Sequence, residues 1–252
     1  MIAVVTGASS GFGQEFVRQF DDRGYDEIWV VARRKDRLEQ LSTEVRTPVR
    51  PIAMDLSKEE SLRAFSELLE AEKPEIHALV NASGFGYFDA FTEQPLNEAL
   101  NMVDLNDKAL ISLCYLCIPY MKKGSEIYNI ASSSAFQPVP YIGVYAATKA
   151  FVLSFSRSLN QELKSRGIRV LAVCPHWTKT EFFDRADKKN GVISYYNFYT
   201  EKTAVVRNAI RHMAQGKDVS LTSLQLKAQA LAATILPKKL VMKIWLKSQH
   251  LD

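Results

Sequence analysis

The chain has 252 residues, 47% of them hydrophobic and 24% charged, enough for a sizeable buried core and inconsistent with global disorder. Its 32 basic and 28 acidic residues leave a formal charge of +4, too even a balance to point to nucleic acid but no obstacle to an anionic cofactor. No apolar run approaches the ~18 to 20 residues that span a bilayer, and a first strand expected from Ile2 leaves no room for a cleavable leader, so a cytoplasmic protein is expected.

Short apolar runs rich in β-branched residues alternate with longer segments of helical period. "IAVV" (2–5) reads as a first strand, followed at once by "TGASSGFG" (6–13) and the helix "GQEFVRQFDDRG" (13–24). A strand that turns into a helix through glycines sets free backbone N–H groups beside the positive end of the helix dipole, which suits a pyrophosphate. Gly7 would permit the turn, Gly11 the close approach of a phosphate, and Gly13 the packing of helix on strand; Ser9, Ser10 and Phe12 share the loop. Tight turns use glycine without any ligand as well, so this stretch alone does not decide. The strand "EIWVVA" (27–32) ends against Arg33 and Arg34, before the helix "KDRLEQLSTEV" (35–45). "VRPIAM" (49–54) is a third strand, running into Asp55 and Leu56, and "KEESLRAFSELLEAE" (58–72) a third helix. "HALVNA" (77–82) carries Asn81 and Ala82 toward Gly84 and Phe85. The long segment 96–124 reads as helix and holds Asn106, Cys114 and Cys117. "EIYNIA" (126–131) leads to Ser132, and "VYAATKAFVLSFSRSLNQELKSRG" (144–167) is a helix carrying Tyr145 and Lys149. "IRVLAVC" (168–174) is a sixth strand, followed by "PHWTKTEFF" (175–183). Gly24, Gly124 and Gly167 stand where helix C-terminal glycines are expected. The aromatic stretch 188–199 has little periodicity, as a substrate-covering loop of about 186–200 would. The helix "EKTAVVRNAIRHMAQG" (201–216) follows it, and then a basic amphipathic tail over about 220–252.

Near-continuous apolar strands imply a sheet covered on both faces, and repeated crossovers imply parallel pairing. The expected fold is therefore α/β, a doubly wound, Rossmann-like parallel sheet with helices on both faces, in one domain spanning 1–252. Cys114, Cys117 and Cys174 lie in apolar settings and read as buried thiols of a reducing compartment. No metal is expected, because the CxxC has no second ligand pair and the histidines lack partners at ligand spacing.

With Thr6 ahead of it, the glycine spacing Gly-x3-Gly-x-Gly resembles the TGxxxGxG fingerprint of the short-chain dehydrogenase/reductase family in its form of roughly 250 residues. Tyr145 and Lys149 at i, i+4, Ser132 thirteen residues earlier and Asn106 in the preceding helix resemble that family's Asn-Ser-Tyr-Lys tetrad. The resemblance covers residues 1 to about 185 and implies an oxidoreductase moving a hydride between nicotinamide and a secondary alcohol or ketone. It implies that Tyr145 passes the proton, Lys149 lowers the tyrosine's pKa and binds the nicotinamide ribose, Ser132 orients the substrate oxygen, and Asn106 holds a water linking Lys149 to solvent. A free tyrosine titrates near pH ~10, and an ammonium within ~4 Å supplies on the order of 4 kcal/mol at an effective dielectric of ~20, enough for a useful downward shift.

By the same resemblance Asp55 and Leu56 lie beside the adenine, Asn81, Ala82 and Gly84 along the dinucleotide, and Pro175, Thr178 and Thr180 at the nicotinamide carboxamide. Ala82, Ser83 and His176 depart from the family pattern. Ala32 stands where NAD-selective members carry aspartate, and Arg33 and Arg34 follow, so NADP(H) is the expected cofactor; a 2′-phosphate there would face no acid. Phe85, Tyr141, His176, Trp177 and Phe182, with Tyr87, Phe88 and Phe183, are expected around an apolar substrate such as a steroid, acyl derivative or aromatic ketone. Apolar faces on the helices around 110–117 and 151–163 point to a homodimer or homotetramer. The lysine-rich tail either packs on protein or meets a membrane surface. The competing reading is a protein that binds NADP without turnover.

Overall fold

The computed structural model describes residues 1–186, 192–193, 196 and 198–251. Strands β1 (Ile2–Thr6), β2 (Glu27–Ala32), β3 (Val49–Ala53), β4 (Ile76–Asn81), β5 (Met121–Ile130), β6 (Arg169–Val173) and β7 (Val219–Ser220) form one sheet. Their spatial order is β3-β2-β1-β4-β5-β6-β7, and every pair is parallel. Crossovers are made by α1 (Gly11–Phe20), α2 (Lys35–Ser42), α3 (Glu59–Glu72), α4 (Leu96–Val103), α5 (Ala109–Cys117), α6 (Gly143–Glu162), α7 (Phe182–Ala186) and α8 (Lys202–Ala214). Two further helices, α9 (Leu224–Ile235) and α10 (Lys238–Ser248), follow β7.

Alternate residues of each strand point to opposite faces, and the sequence fills both with apolar groups. Ile2, Val4, Trp29, Val31, Leu79, Ile127 and Val170 join Phe65, Leu69, Leu113 and Val152 on one face. Ala3, Val5, Ile28, Val30, Val80, Leu171 and Val173 join Phe16, Phe20, Leu38, Leu41, Val206 and Met213 on the other. The winding reverses between β1 and β4, and the crevice outside their carboxyl ends is where a doubly wound sheet takes its ligand.

Four details differ from the sequence reading. The segment 96–124 is not one helix: Asp104–Lys108 form a wider π turn, Pro119 closes the helical part, and β5 begins at Met121. Gly124, at φ 93, therefore lies inside β5, where the pairing with β4 shifts register, and caps nothing. Gly24 lies four residues past the end of α1, with Asp22 already left-handed at φ 63, whereas Gly167 at φ 68 does close the turn after α6. The seventh strand, two residues long, was not anticipated. Cys114, Cys117 and Cys174 are buried free thiols. Among the described residues no helix is long and apolar enough to cross a membrane.

Candidate active site

The β1–α1 turn is fixed by its glycines. Gly7 is left-handed at φ 64, and a Cβ there would stand 2.6 Å from the Ala82 carbonyl oxygen; one on Gly13 would stand 2.5 Å from the carbonyl oxygen of Gly7. Gly11 is also left-handed, at φ 57, but a Cβ would meet the Thr180 methyl at an ordinary 3.7 Å, so conformation rather than space selects glycine there. Thr6 Oγ1 accepts hydrogen bonds from the N–H groups of Ala82 (3.1 Å) and Ser83 (3.2 Å), tying this turn to the end of β4. The first turn of α1 has neither a side-chain cap nor an acidic residue, so its N–H groups and dipole are available to an anion.

A cleft of about 650 Å³ opens over this turn. Gly7, Ser9, Ser10, Gly11, Phe12, Arg33, Arg34, Asp55, Leu56, Ala82 and Gly84 line its β1–β2 side, and Ser132, Tyr145, Lys149, Pro175, Thr178 and Thr180 its β5–β6 side. Phe85, His176, Trp177 and Phe182 line it as well. A dinucleotide would thus find a glycine turn, an open helix N-terminus and two arginines along one wall; the residues fit such a group.

Asn81, Gly13, Tyr141 and Asn106, and the aromatics Tyr87 and Phe88, do not line the cleft. The Asn81 side chain turns into the core below the cleft, where its Nδ2 donates to Asn129 Oδ1 at 2.8 Å and to Cys114 Sγ at 3.4 Å. Gly13 serves packing and does not line the cleft. Tyr141, left-handed at φ 66, accepts from the Asp89 N–H through its carbonyl and packs beside the aromatic cluster without reaching the cleft. Of the expected substrate loop, residues 187–191, 194, 195 and 197 lie outside the described residues. Tyr196 packs on Trp177 with ring centroids 4.9 Å apart, and Phe198 on His176 at 4.4 Å.

Asn106 lies in the π turn, fully buried. Its Oδ1 accepts from the Phe85 N–H (3.1 Å), and its Nδ2 donates to the Phe85 carbonyl (3.0 Å) and to Thr148 Oγ1 (3.1 Å). The side-chain amide so clamps the chain after β4 to α6. A Cβ on Gly84 would stand 2.9 Å from Asn106 Oδ1, which explains the glycine. Lys149 Nζ donates to the Ile130 carbonyl at 2.7 Å and lies 5.7 Å from the centroid of the Tyr145 ring. Ser132 sits beside the Tyr145 hydroxyl, and its Oγ accepts from the Ser134 N–H at 3.1 Å.

Burial pushes the Tyr145 phenol up to about 12, partly offset by the Ser132 hydroxyl. Burial also pushes the Lys149 ammonium down to about 8, with Asp107 acting the other way. Among the protein's own groups the lysine therefore loses its charge before the tyrosine ionises, the reverse of the lowered phenol expected from the spacing. At pH 7 the pair is a neutral phenol beside an ammonium, the acid form needed to protonate a carbonyl oxygen.

A description of the short chain dehydrogenases matches residues 1–191. The chain belongs to the short-chain dehydrogenase family. It is 35% identical over 184 residues to the serine 3-dehydrogenase of Rhizobium radiobacter, covering 71% of this chain and 72% of that protein. It is 32% identical over 191 residues to sulfoacetaldehyde reductase 2 of Chromohalobacter salexigens, covering 72% and 74%. The solved short-chain dehydrogenase from Sphingobium yanoikuyae in complex with NADPH superimposes with a TM-score of 0.80 at 29% identity, covering 96% of this chain and 95% of that one. This short-chain dehydrogenase is accordingly an oxidoreductase that uses a nicotinamide cofactor and acts between alcohols and ketones.

Three charged residues of the site carried no sequence signal. Glu181 lines the cleft and pairs with Arg34, Nη1 to Oε2 at 2.7 Å, and with Arg37. The two guanidiniums hold its carboxyl below the usual range. Arg34 at the end of β2 thus does face an acid, contrary to expectation, and it also donates to Ser9 Oγ at 3.1 Å. Arg33 remains exposed at the rim. Asp107 follows Asn106; burial pushes it up to about 7, and its Oδ1 is buried with no hydrogen-bond partner among the described residues. Arg185 lies 3.3 Å over the Phe85 ring and pairs with Glu98 at 3.0 Å. Each depends on contacts 87 to 147 residues away or on the wider π turn, which local pattern does not reveal. Among the described residues no cluster of His, Cys, Asp or Glu could hold a metal.

Proposed function

We propose that this enzyme is an NADP(H)-dependent reductase of ketones with an apolar body, and a dehydrogenase of the corresponding secondary alcohols. The observation that carries the reading is one cleft lined by Arg33 and Arg34 at the β2 edge and by Ser132, Tyr145 and Lys149 beyond β5. The relative solved with NADPH and the arginines at the end of β2 support NADP(H); the aromatic wall supports an apolar substrate. When bound, the nicotinamide supplies or accepts the hydride.

Ser132 holds and orients the substrate oxygen, and Tyr145, neutral at pH 7, gives it the proton as the carbonyl carbon gains the hydride. Lys149 stays charged below about pH 8, favours the phenolate left behind, and binds a ribose hydroxyl of the cofactor. Asn106 keeps Gly84–Phe85 against α6, holding the pocket floor at the tetrad. Phe182, 5.3 Å from the Tyr145 ring, forms the apolar surface against which the substrate body rests, and the buried Phe88 backs it at 5.9 Å.

The test is a screen of NADPH oxidation against apolar ketones and of NADP⁺ reduction against their alcohols, run beside NADH and NAD⁺. NADP(H)-linked turnover that exceeds the NAD(H)-linked rate supports the proposal; equal or greater rates with NAD(H) refute its cofactor half. Turnover confined to small charged substrates refutes its substrate half. The same reading includes a homo-oligomer, supported by the exposed Leu100 and Tyr115 on α4 and α5 and Phe151 on α6. Light scattering at the monomer mass would contradict it.

A further inference from the structure

Between Val219 and Leu251 the chain carries five lysines and no aspartate or glutamate. These residues include α9 and α10, which form an outer wall of the cleft: Trp245 Nε1 donates to the Pro140 carbonyl at 3.1 Å, and its ring stacks on Trp177 at 6.4 Å. The inner side of the pair is thereby anchored, through Val241 and Ala233 as well. Its outer side is different. Leu224, Leu231 and Ile235 are 81%, 61% and 72% exposed, and their spacing of seven and four puts them on one stripe of α9. Leu240 and Ile244, one turn apart on α10, are 44% and 55% exposed.

Lys239, Lys243 and Lys247 repeat every four residues, a second row one position before the apolar one, and so about 100° around α10 from it. Lys227 flanks the stripe on α9. An apolar stripe bordered by ammonium groups matches the boundary of a bilayer: the aliphatic tips enter the acyl region, and the lysine stems keep their charges at the phosphate level.

We propose that the outer face of α9 and α10 docks on an anionic lipid surface. Charge decides against a second copy of the same face. A two-fold contact would bring ten lysines together, and these helices offer no carboxylate to offset them. Leu236 and Ile244 are exposed on this side and also line the cleft, so the mouth opens beside the docked surface. If the substrate is apolar, as proposed above, it reaches Tyr145 from the lipid without crossing bulk water; the docking itself does not rest on that reading.

The experiment is co-sedimentation of the full chain with vesicles of phosphatidylcholine alone and of phosphatidylcholine mixed with phosphatidylglycerol. Two variants are run beside it, Lys239→Glu/Lys243→Glu/Lys247→Glu and Leu231→Ser/Ile235→Ser, with circular dichroism and light scattering on each. The wild type is expected to pellet with the anionic vesicles and to bind neutral ones at least tenfold more weakly. The lysine variant, altered only at exposed positions, is expected to lose at least tenfold in affinity for anionic vesicles while keeping its fold. The proposal is overturned if the wild type stays in the supernatant with anionic vesicles, or if the lysine variant binds as the wild type does. It is likewise overturned if the wild type is an oligomer that the Leu231 and Ile235 substitutions dissociate, because a second copy then covers the stripe. An NADPH titration of the same samples reports on the cofactor reading separately, so the two can fail independently.

Discussion

On the cofactor side of the cleft the wall is main chain: a Cβ on Gly7 or Gly13 would stand 2.6 or 2.5 Å from backbone carbonyl oxygens, and Thr6 binds two amides of the neighbouring strand's end. Across from it the wall is side chain on side chain, with Phe182 on Tyr145, Trp177 on Trp245 and Tyr196 on Trp177. The first wall tolerates almost no substitution because backbone cannot move aside; the second can be repacked. The glycine side therefore suits a nicotinamide cofactor, and the aromatic side is free to set the substrate.

The comparison can be broken most directly at Gly13. A methyl group there must displace the carbonyl of Gly7, and Gly13→Ala is expected to cost roughly 2 to 3 kcal/mol of stability and to weaken cofactor binding with it. A melting temperature and an NADPH affinity equal to wild type would show that the turn is softer than its contacts imply. Next in size is Arg33→Ala, expected to weaken NADPH by about tenfold in a fluorescence titration while NADH changes little, since only the former carries the phosphate an arginine fork binds. Equal weakening of both would remove the 2′-phosphate assignment.

Reduction is expected to slow as pH rises through about 8, where Lys149 loses its charge. Above about pH 7 ionised Asp107 supports that charge, so Asp107→Asn should move the alkaline limb of kcat/KM to lower pH by about half a unit. An unmoved or raised limb would mean that Asp107 does not act on Lys149. The smallest effect belongs to the aromatic wall: Phe182→Ala should change KM for an apolar ketone by roughly threefold to tenfold, as for one or two lost apolar groups, and leave NADPH affinity alone. A matching loss in NADPH affinity would show that the two walls are not separable.

The same division explains what the sequence made legible. The first six strands and the glycine turn are legible in local pattern, because period 2, period 3.6 and a tight turn are properties of neighbouring residues; Ser132, Tyr145 and Lys149 are legible through their spacing together with the resemblance to the family. Asn81 was misread because its direction depends on Asn129, 48 residues away, which takes its amide hydrogen into the core. Glu181 was missed because its partners, Arg34 and Arg37, lie on the other side of the cleft. The burial that holds Tyr145 near 12 and Lys149 near 8 is likewise a property of the folded pocket; spacing alone gave their proximity and left out the desolvation that opposes it.

The central claim is that the Tyr145 hydroxyl carries the proton in this cleft while cofactor binding rests on other groups. Tyr145→Phe removes that one oxygen, and turnover of an active ketone with NADPH should fall by about 10² to 10⁴-fold, with NADPH affinity by fluorescence within about twofold of wild type. Turnover equal to wild type under the same conditions would contradict the account.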